Sequence, residues 1–283
     1  MQSVPRSYER PGLTFHRTFS LNTSRLAAVL DVAATEQGRV DAALLRKKTS
    51  LGTIQIEAMP RYARGCNLLD NGGFAVTPFG RLAYQYDRTL IQSATQWLMH
   101  YHLSAPHGPG PQFWHFLVTE TLRWGDLITP NVIESGIARA LEKQNSPVPG
   151  GRAIGSTATA FLGSYSKPEG LSALGLLTPV KGGSYRVQVT VPPPPMAVAA
   201  ALADYWAGPL GGRATVDLDE LARPGGFFSL FFLGTEQATT VLQALQRARL
   251  VEVNRLAPPF QVARLWDDPA AVVARLYEEG HGE

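Results

Sequence analysis

The chain has 283 residues, 45% of them apolar and 17% charged, with 27 glycines and 21 prolines. That is enough apolar mass for one large or two to three small cores, and it excludes both a coiled coil and a wholly disordered chain. The net charge of +3 is mild but uneven: residues 1–90 hold 12 Lys and Arg against 7 Asp and Glu, and residues 91–283 hold 14 against 16.

The surplus at the amino end favours encounter with polyanions such as nucleic acid and says little about fold. The longest apolar runs, Ala197 to Ala203 and Phe227 to Leu233, fall far short of the roughly 20 residues a membrane span needs. Arg6, Arg10, Arg17 and Arg25 are followed by no apolar stretch, so no export signal is expected. A lone Cys66 cannot close an internal disulfide, which fits a reducing cytoplasm.

In chain order, Leu26 to Ala34 has apolar residues at helical spacing, with Asn22, Thr23 or Ser24 before it as a cap. Val40 to Leu45 gives a second short helix, Lys47 to Gly52 a turn, and Thr53 to Cys66 a third helix. In Leu68 to Pro78 the Asp70-Asn71-Gly72-Gly73 step lies between two apolar runs and predicts a hairpin. Three helices and a hairpin are the order of a winged helix-turn-helix. Helices follow at Phe79 to Arg88 and Thr95 to Leu103.

Much the same order recurs. An aromatic helix is expected over Phe113 to Trp124, and another from Pro130 with Thr129 as its cap. Asn145 to Arg152 is rich in Pro and Gly and reads as a connector. Beyond it, a helix at Ser156 to Leu162 precedes a leucine-rich stretch, Thr178-Pro179, a Gly182-Gly183 turn and a strand through Val187. Val191 to Pro195, with four consecutive prolines, is a stiff spacer. Helices at Met196 to Trp206 and Thr235 to Ala248 then precede a closing hairpin, Leu250 to Asn254 with Gln261 to Trp266. The predicted fold is mainly α with short β-hairpins (α+β), as tandem winged-helix-like units over 1–95, 96–190 and 191–283, a size usual for small domains.

In a helix-turn-helix the second helix enters the major groove while neighbouring residues touch phosphate. The expected nucleic-acid contacts are therefore Arg46, Lys47 and Lys48 before the third helix, and Thr53, Gln55, Arg61 and Arg64 on it. Pro60 is expected to kink or stop that helix and shorten its exposed face. His100, His102, His107 and His115 lack a companion Cys or properly spaced carboxylate for a metal site and read as core or surface histidines. Cys66 reads as an apolar filler. Asp217-Leu218-Asp219-Glu220 and Asp267-Asp268 stand at helix starts, where acidic residues suit the helix dipole. Gly150 to Gly155 has the glycine spacing of a phosphate loop, but Ser156 stands where the lysine belongs. The Phe227 to Phe232 pairs and the tryptophans suit either base stacking or a core.

Five motifs in order carry a family resemblance: His16-Arg17-Thr18-Phe19, Val76-Thr77-Pro78-Phe79-Gly80, Thr95-Gln96-Trp97-Leu98-Met99-His100, Gly170 to Leu177, and Leu202-Ala203-Asp204-Tyr205-Trp206. Over nearly its whole length the chain resembles the bacterial domain-of-unknown-function family four-thousand-seven. Genes of that family lie beside those of sulfotransfer proteins similar to phosphoadenosine-phosphosulfate reductase, in DNA-phosphorothioation and phage-defence islands. The chain departs from the family at Arg17, where an acidic residue is usual, and at Leu51 to Ile56, where a more polar and basic helix opening is usual. The resemblance implies an accessory subunit of DNA-modifying or defence machinery and carries over no catalytic residue.

The expected function is a non-enzymatic DNA-binding or scaffold subunit of a multi-protein DNA-modification or anti-phage complex. It would be cytoplasmic and free of cofactor, metal and membrane, with the duplex backbone and other protein subunits as partners. A stand-alone winged-helix transcription regulator and a metal-dependent enzyme using the His100 to His115 region are the alternatives.

Overall fold

Helix caps written into the sequence start several of the helices. In the computed structural model, which describes residues 11–36, 40–71, 75–254 and 258–279, α1 (Thr23–Thr35) opens with the Asn22 side chain accepting from the Arg25 N–H at 3.0 Å. The Asp41 carboxylate does the same for α2 (Ala42–Lys48), accepting from the Leu44 N–H at 2.8 Å. Each cap satisfies a backbone donor that the helix leaves orphaned, worth about 1 kcal/mol. Next come α3 (Thr53–Gly65) and α4 (Pro78–Tyr86). Between them the expected hairpin shows, among the described residues, one antiparallel bridge, Leu69 with Val76, flanked by backbone bonds from Asp70 N–H to the Ala75 carbonyl and from Thr77 N–H to the Leu68 carbonyl; its tip at residues 72–74 lies outside the described residues. Pro60 does not stop α3: the helix runs through it, held by the burial of Ala58, Met59, Pro60, Tyr62 and Ala63.

α5 (Ser93–Ser104) is buried at every residue from Thr95 to Ser104 and so has no solvent face. It packs against α3, α6 (Gln112–Phe116) and the alanine-rich α9 (Pro195–Ala207). The aromatic helix expected to reach Trp124 ends earlier: α6 passes into a π-helical turn at Leu117–Thr121, and Gly125, at φ +87°, turns the chain. Then follow β1 (Leu127–Ile128), α7 (Pro130–Lys143), α8 (Gly151–Ser166), β2 (Leu177–Val180) and β3 (Ser184–Val187). Pro130 opens α7 as expected, but the Thr129 side chain makes no capping bond. The three strands form an antiparallel sheet in the order β1-β3-β2.

The last third repeats this arrangement. After α9 come β4 (Thr215–Asp217), α10 (Leu218–Ala222), α11 (Thr235–Arg247), β5 (Val251–Asn254), β6 (Gln261–Arg264) and α12 (Pro269–Glu279). Its sheet is also antiparallel, in the order β4-β6-β5. Among the described residues the fold is mainly helical with two small antiparallel sheets. α12 returns to pack on α9 and α4, so the carboxyl end of the described chain closes on its amino-terminal third. The expected division between residues 95 and 96 falls inside α5.

Candidate nucleic-acid interface

Arg46, Lys47 and Lys48 form the last turn of α2 and are all exposed, at the helix end where cations are favoured. Lys48 is engaged, with Nζ 2.7 Å from Glu36 Oε1; a surface pair of this kind is worth at most about 1 kcal/mol. Three residues of backbone separate α2 from Gly52, the N-cap of α3. Thr53 is exposed, while Gln55, Arg61 and Arg64 are half-buried. The Gln55 Oε1 accepts from the Gly52 N–H at 3.2 Å, so this side chain starts the helix as well as facing outward. Glu57 would repel phosphate from the same face, but Arg17 closes on it: Nη2 lies 2.6 Å and Nε 2.8 Å from Glu57 Oε2. The outward part of α3 is therefore short, and its negative charge is matched from the amino-terminal segment.

Of the four histidines, His102 and His107 both lie near Asp204, while His100 and His115 are engaged elsewhere. His100 Nε2 donates to the Leu230 carbonyl at 2.7 Å, and Nδ1 meets the Tyr165 hydroxyl at 2.7 Å. His102 Nε2 lies 3.3 Å from Asn67 Nδ2, and His115 Nδ1 lies 2.7 Å from the Ser104 carbonyl. His107 Nε2 reaches Asp204 Oδ2 at 2.9 Å, the oxygen that also accepts from Tyr101 at 2.8 Å. Burial would raise the Asp204 pKa, but the His107 hydrogen bond, the nearby His102 and the Tyr101 hydroxyl hold it down at about 2. Among the described residues, no group of three His, Cys, Asp or Glu side chains could hold a metal ion. Cys66 is buried, and burial pushes its thiol pKa upward.

Residues 150–155 enter α8 from irregular chain; a phosphate loop would need a strand there. The start of α8 and the turn at Leu13–His16 line an open cleft of about 640 Å³ that the sequence did not announce, since its walls lie some 140 residues apart. His16 lines it, with Nε2 3.1 Å from Thr157 Oγ1 and Nδ1 accepting from the Thr18 N–H at 3.0 Å. Asp217 and Asp268 do stand at helix starts, and Asp268 accepts from the Ala270 N–H at 2.9 Å. Phe227, Phe228 and Phe231 are core residues, as are Trp97, Trp114 and Trp206; Trp124 is exposed.

No family model matches the chain, so the sequence resemblance gains no support from that side, and no curated protein matches it. Two solved structures do. A crystal structure of SspB with magnesium bound superposes with a TM-score of 0.75 at 15% identity, covering 94% of this chain and 87% of that one. A second SspB crystal structure gives 0.74 at 16% identity with the same coverage. At that identity the likeness is one of fold, and it extends over nearly the whole of both chains.

Proposed function

We propose that the chain is a DNA-binding or scaffold subunit of a multi-protein DNA-modification or anti-phage complex, built from three winged-helix-like units, the first of which contacts duplex DNA. The observation that carries this reading is the fold shared with the SspB crystal structures along 94% of the chain, taken together with the DNA-modification context that the sequence resemblance implies. Element order adds independent support. Residues 112–187 and 195–264 each run helix, strand, helix, helix, strand, strand, with the first strand pairing the third, an order that supports the winged helix-turn-helix reading. The first unit has the three helices and, among the described residues, a single bridge in place of the ribbon.

The phosphate contacts in this reading are Arg46, Lys47 and Lys48, with Thr53, Gln55, Arg61 and Arg64 on α3. Arg46 and Lys47 carry most of the charge, because Lys48 is shared with Glu36. No helix among the described residues is long and apolar enough to cross a membrane. The test is duplex affinity against salt. Each neutralised phosphate contributes about −0.9 to the slope of log K against log salt, so Arg46→Ala with Lys47→Ala should flatten the slope by about 2. An unchanged slope removes these residues from the interface. A pull-down from the native host, with and without nuclease, separates protein partners from those bridged by DNA.

A further inference from the structure

α4 turns Phe79, Gly80 and Ala83 inward and leaves Arg81, Tyr84, Gln85 and Arg88 along its other face. These four side chains line a shallow groove of about 510 Å³. Arg88 lies over the Tyr84 ring, its Cζ 4.4 Å from the centroid, and donates to the Tyr84 hydroxyl from Nη2. Among the described residues neither Arg81 nor Arg88 is paired with a carboxylate. The neighbouring acid Asp87 is buried and accepts from the Ile91 and Gln92 N–H groups at 3.1 and 2.9 Å, ahead of α5. The helix does not float: Tyr86 stacks on Tyr277 of α12 with centroids 5.7 Å apart.

From this we propose that the outer face of α4 is a binding strip for single-stranded DNA, with Arg81 and Arg88 on successive phosphates and the Tyr84–Arg88 pair as the surface on which an unpaired base stacks. A helix dipole alone would account for Arg88, just beyond the carboxyl end of α4, but not for Arg81 near its start or for the ring between them. Two unopposed guanidiniums call for an anion. A planar ring and guanidinium beside them, with an exposed amide at Gln85, call for an anion that also carries a flat heteroaromatic group. Within a duplex the base faces are already stacked on one another, so the strip suits an unpaired strand. It extends the duplex reading and does not depend on α2 or α3.

The experiment is fluorescence anisotropy on the full chain with a labelled oligodeoxythymidylate and, separately, a labelled mixed-sequence duplex. Arg81→Glu with Arg88→Glu should weaken single-strand binding by roughly tenfold or more. Arg81→Ala with Arg88→Ala should flatten its salt slope by about 1.4, at roughly 0.7 per phosphate on a single strand. Tyr84→Ala should cost about fivefold or more, and Tyr84→Phe, which keeps the stacking face, less than about twofold. All four side chains lie on an outward face, and an unchanged melting temperature checks that the variants fold. A wild type that binds duplex but no single strand overturns the strip and leaves the duplex reading intact; single-strand binding without duplex binding does the reverse. If Tyr84→Ala binds as wild type while charge reversal weakens both ligands equally, the face is a general polyanion patch and the proposal fails.

Discussion

His100 must donate at Nε2, because the Leu230 carbonyl can only accept, and in the neutral ring this leaves Nδ1 to accept from Tyr165. The Tyr165 oxygen is free to give its proton because it accepts in turn from Trp114 Nε1 at 2.8 Å. A proton added to Nδ1 would break that chain, and burial pulls the His100 pKa down to about 4, against the Leu230 bond, which raises it. Burial likewise brings His16 and His102 to about 4. In the unfolded chain these rings titrate near 6.5, so between 6.5 and 4 the unfolded state binds more protons than the folded one. Their stabilisation is complete above pH 6.5 and is lost as the pH falls towards 4, by at most about 3 kcal/mol for a fully buried ring. Urea melts should show this loss between pH 7 and 4. His100→Phe should cost about 2–4 kcal/mol at pH 7, through the orphaned Leu230 carbonyl and Tyr165 hydroxyl, and should lessen the acid dependence. A variant with the wild-type acid slope would show that His100 is not one of the rings responsible. At Gly80 the constraint is steric: a Cβ there would sit 2.0 Å from the Leu68 carbonyl oxygen. Gly80→Ala should therefore destabilise by about 2 kcal/mol or more, although alanine is the better helix former by about 1 kcal/mol. A melting temperature that rises would refute this.

Elements with local causes were legible in the sequence. Gly182 and Gly183 lie in the turn between β2 and β3 at φ +84° and +74°, a region other residues enter at a cost. Replacing both with alanine should lose about 2 kcal/mol, measurable in a thermal melt, while the same change at Gly150 and Gly151, both at the open entrance of α8, should not. Asn22, the strand that follows Gly183 and the Pro-rich entry to α9 were equally readable, because capping and turn chemistry act within a few residues. β4 and the 3-10 turn at Phe227–Phe231 were not, being too short to show a period, whereas the acidic run at Asp217 to Glu220 marked the start of α10. The aromatic run after Phe113 was overextended, because a π-helical turn leaves no mark in residue type. The exposed cations of α2 could be picked out from their run of charge. The Arg17–Glu57 pair, the His107–Asp204 pair and the cleft at α8 could not, since each joins segments far apart in the chain.

At the scale of the molecule, α5 is shared property. It meets α3 of the first third, α6 of the middle and α9 of the last, and Thr95 on it shares a 2.9 Å hydrogen bond with Tyr277 of α12. A chain cut at residue 95 would remove most of this helix, Trp97 and Met99 included, and expose apolar surface on α3 and α4 that the intact protein covers. At roughly 25 cal/mol per Å² of apolar surface, such a loss exceeds what a domain of under 100 residues has to spare. The fragment 1–95 should therefore bind a hydrophobic dye and melt without a cooperative transition, whereas the whole chain melts in one step. Extending the fragment through Ser104 should not rescue it, because α5 would then present the faces meant for α6 and α9 to water. A sharp melt from the shorter fragment would show that its three helices close a core of their own, and that the units are joined more loosely than their shared helix implies.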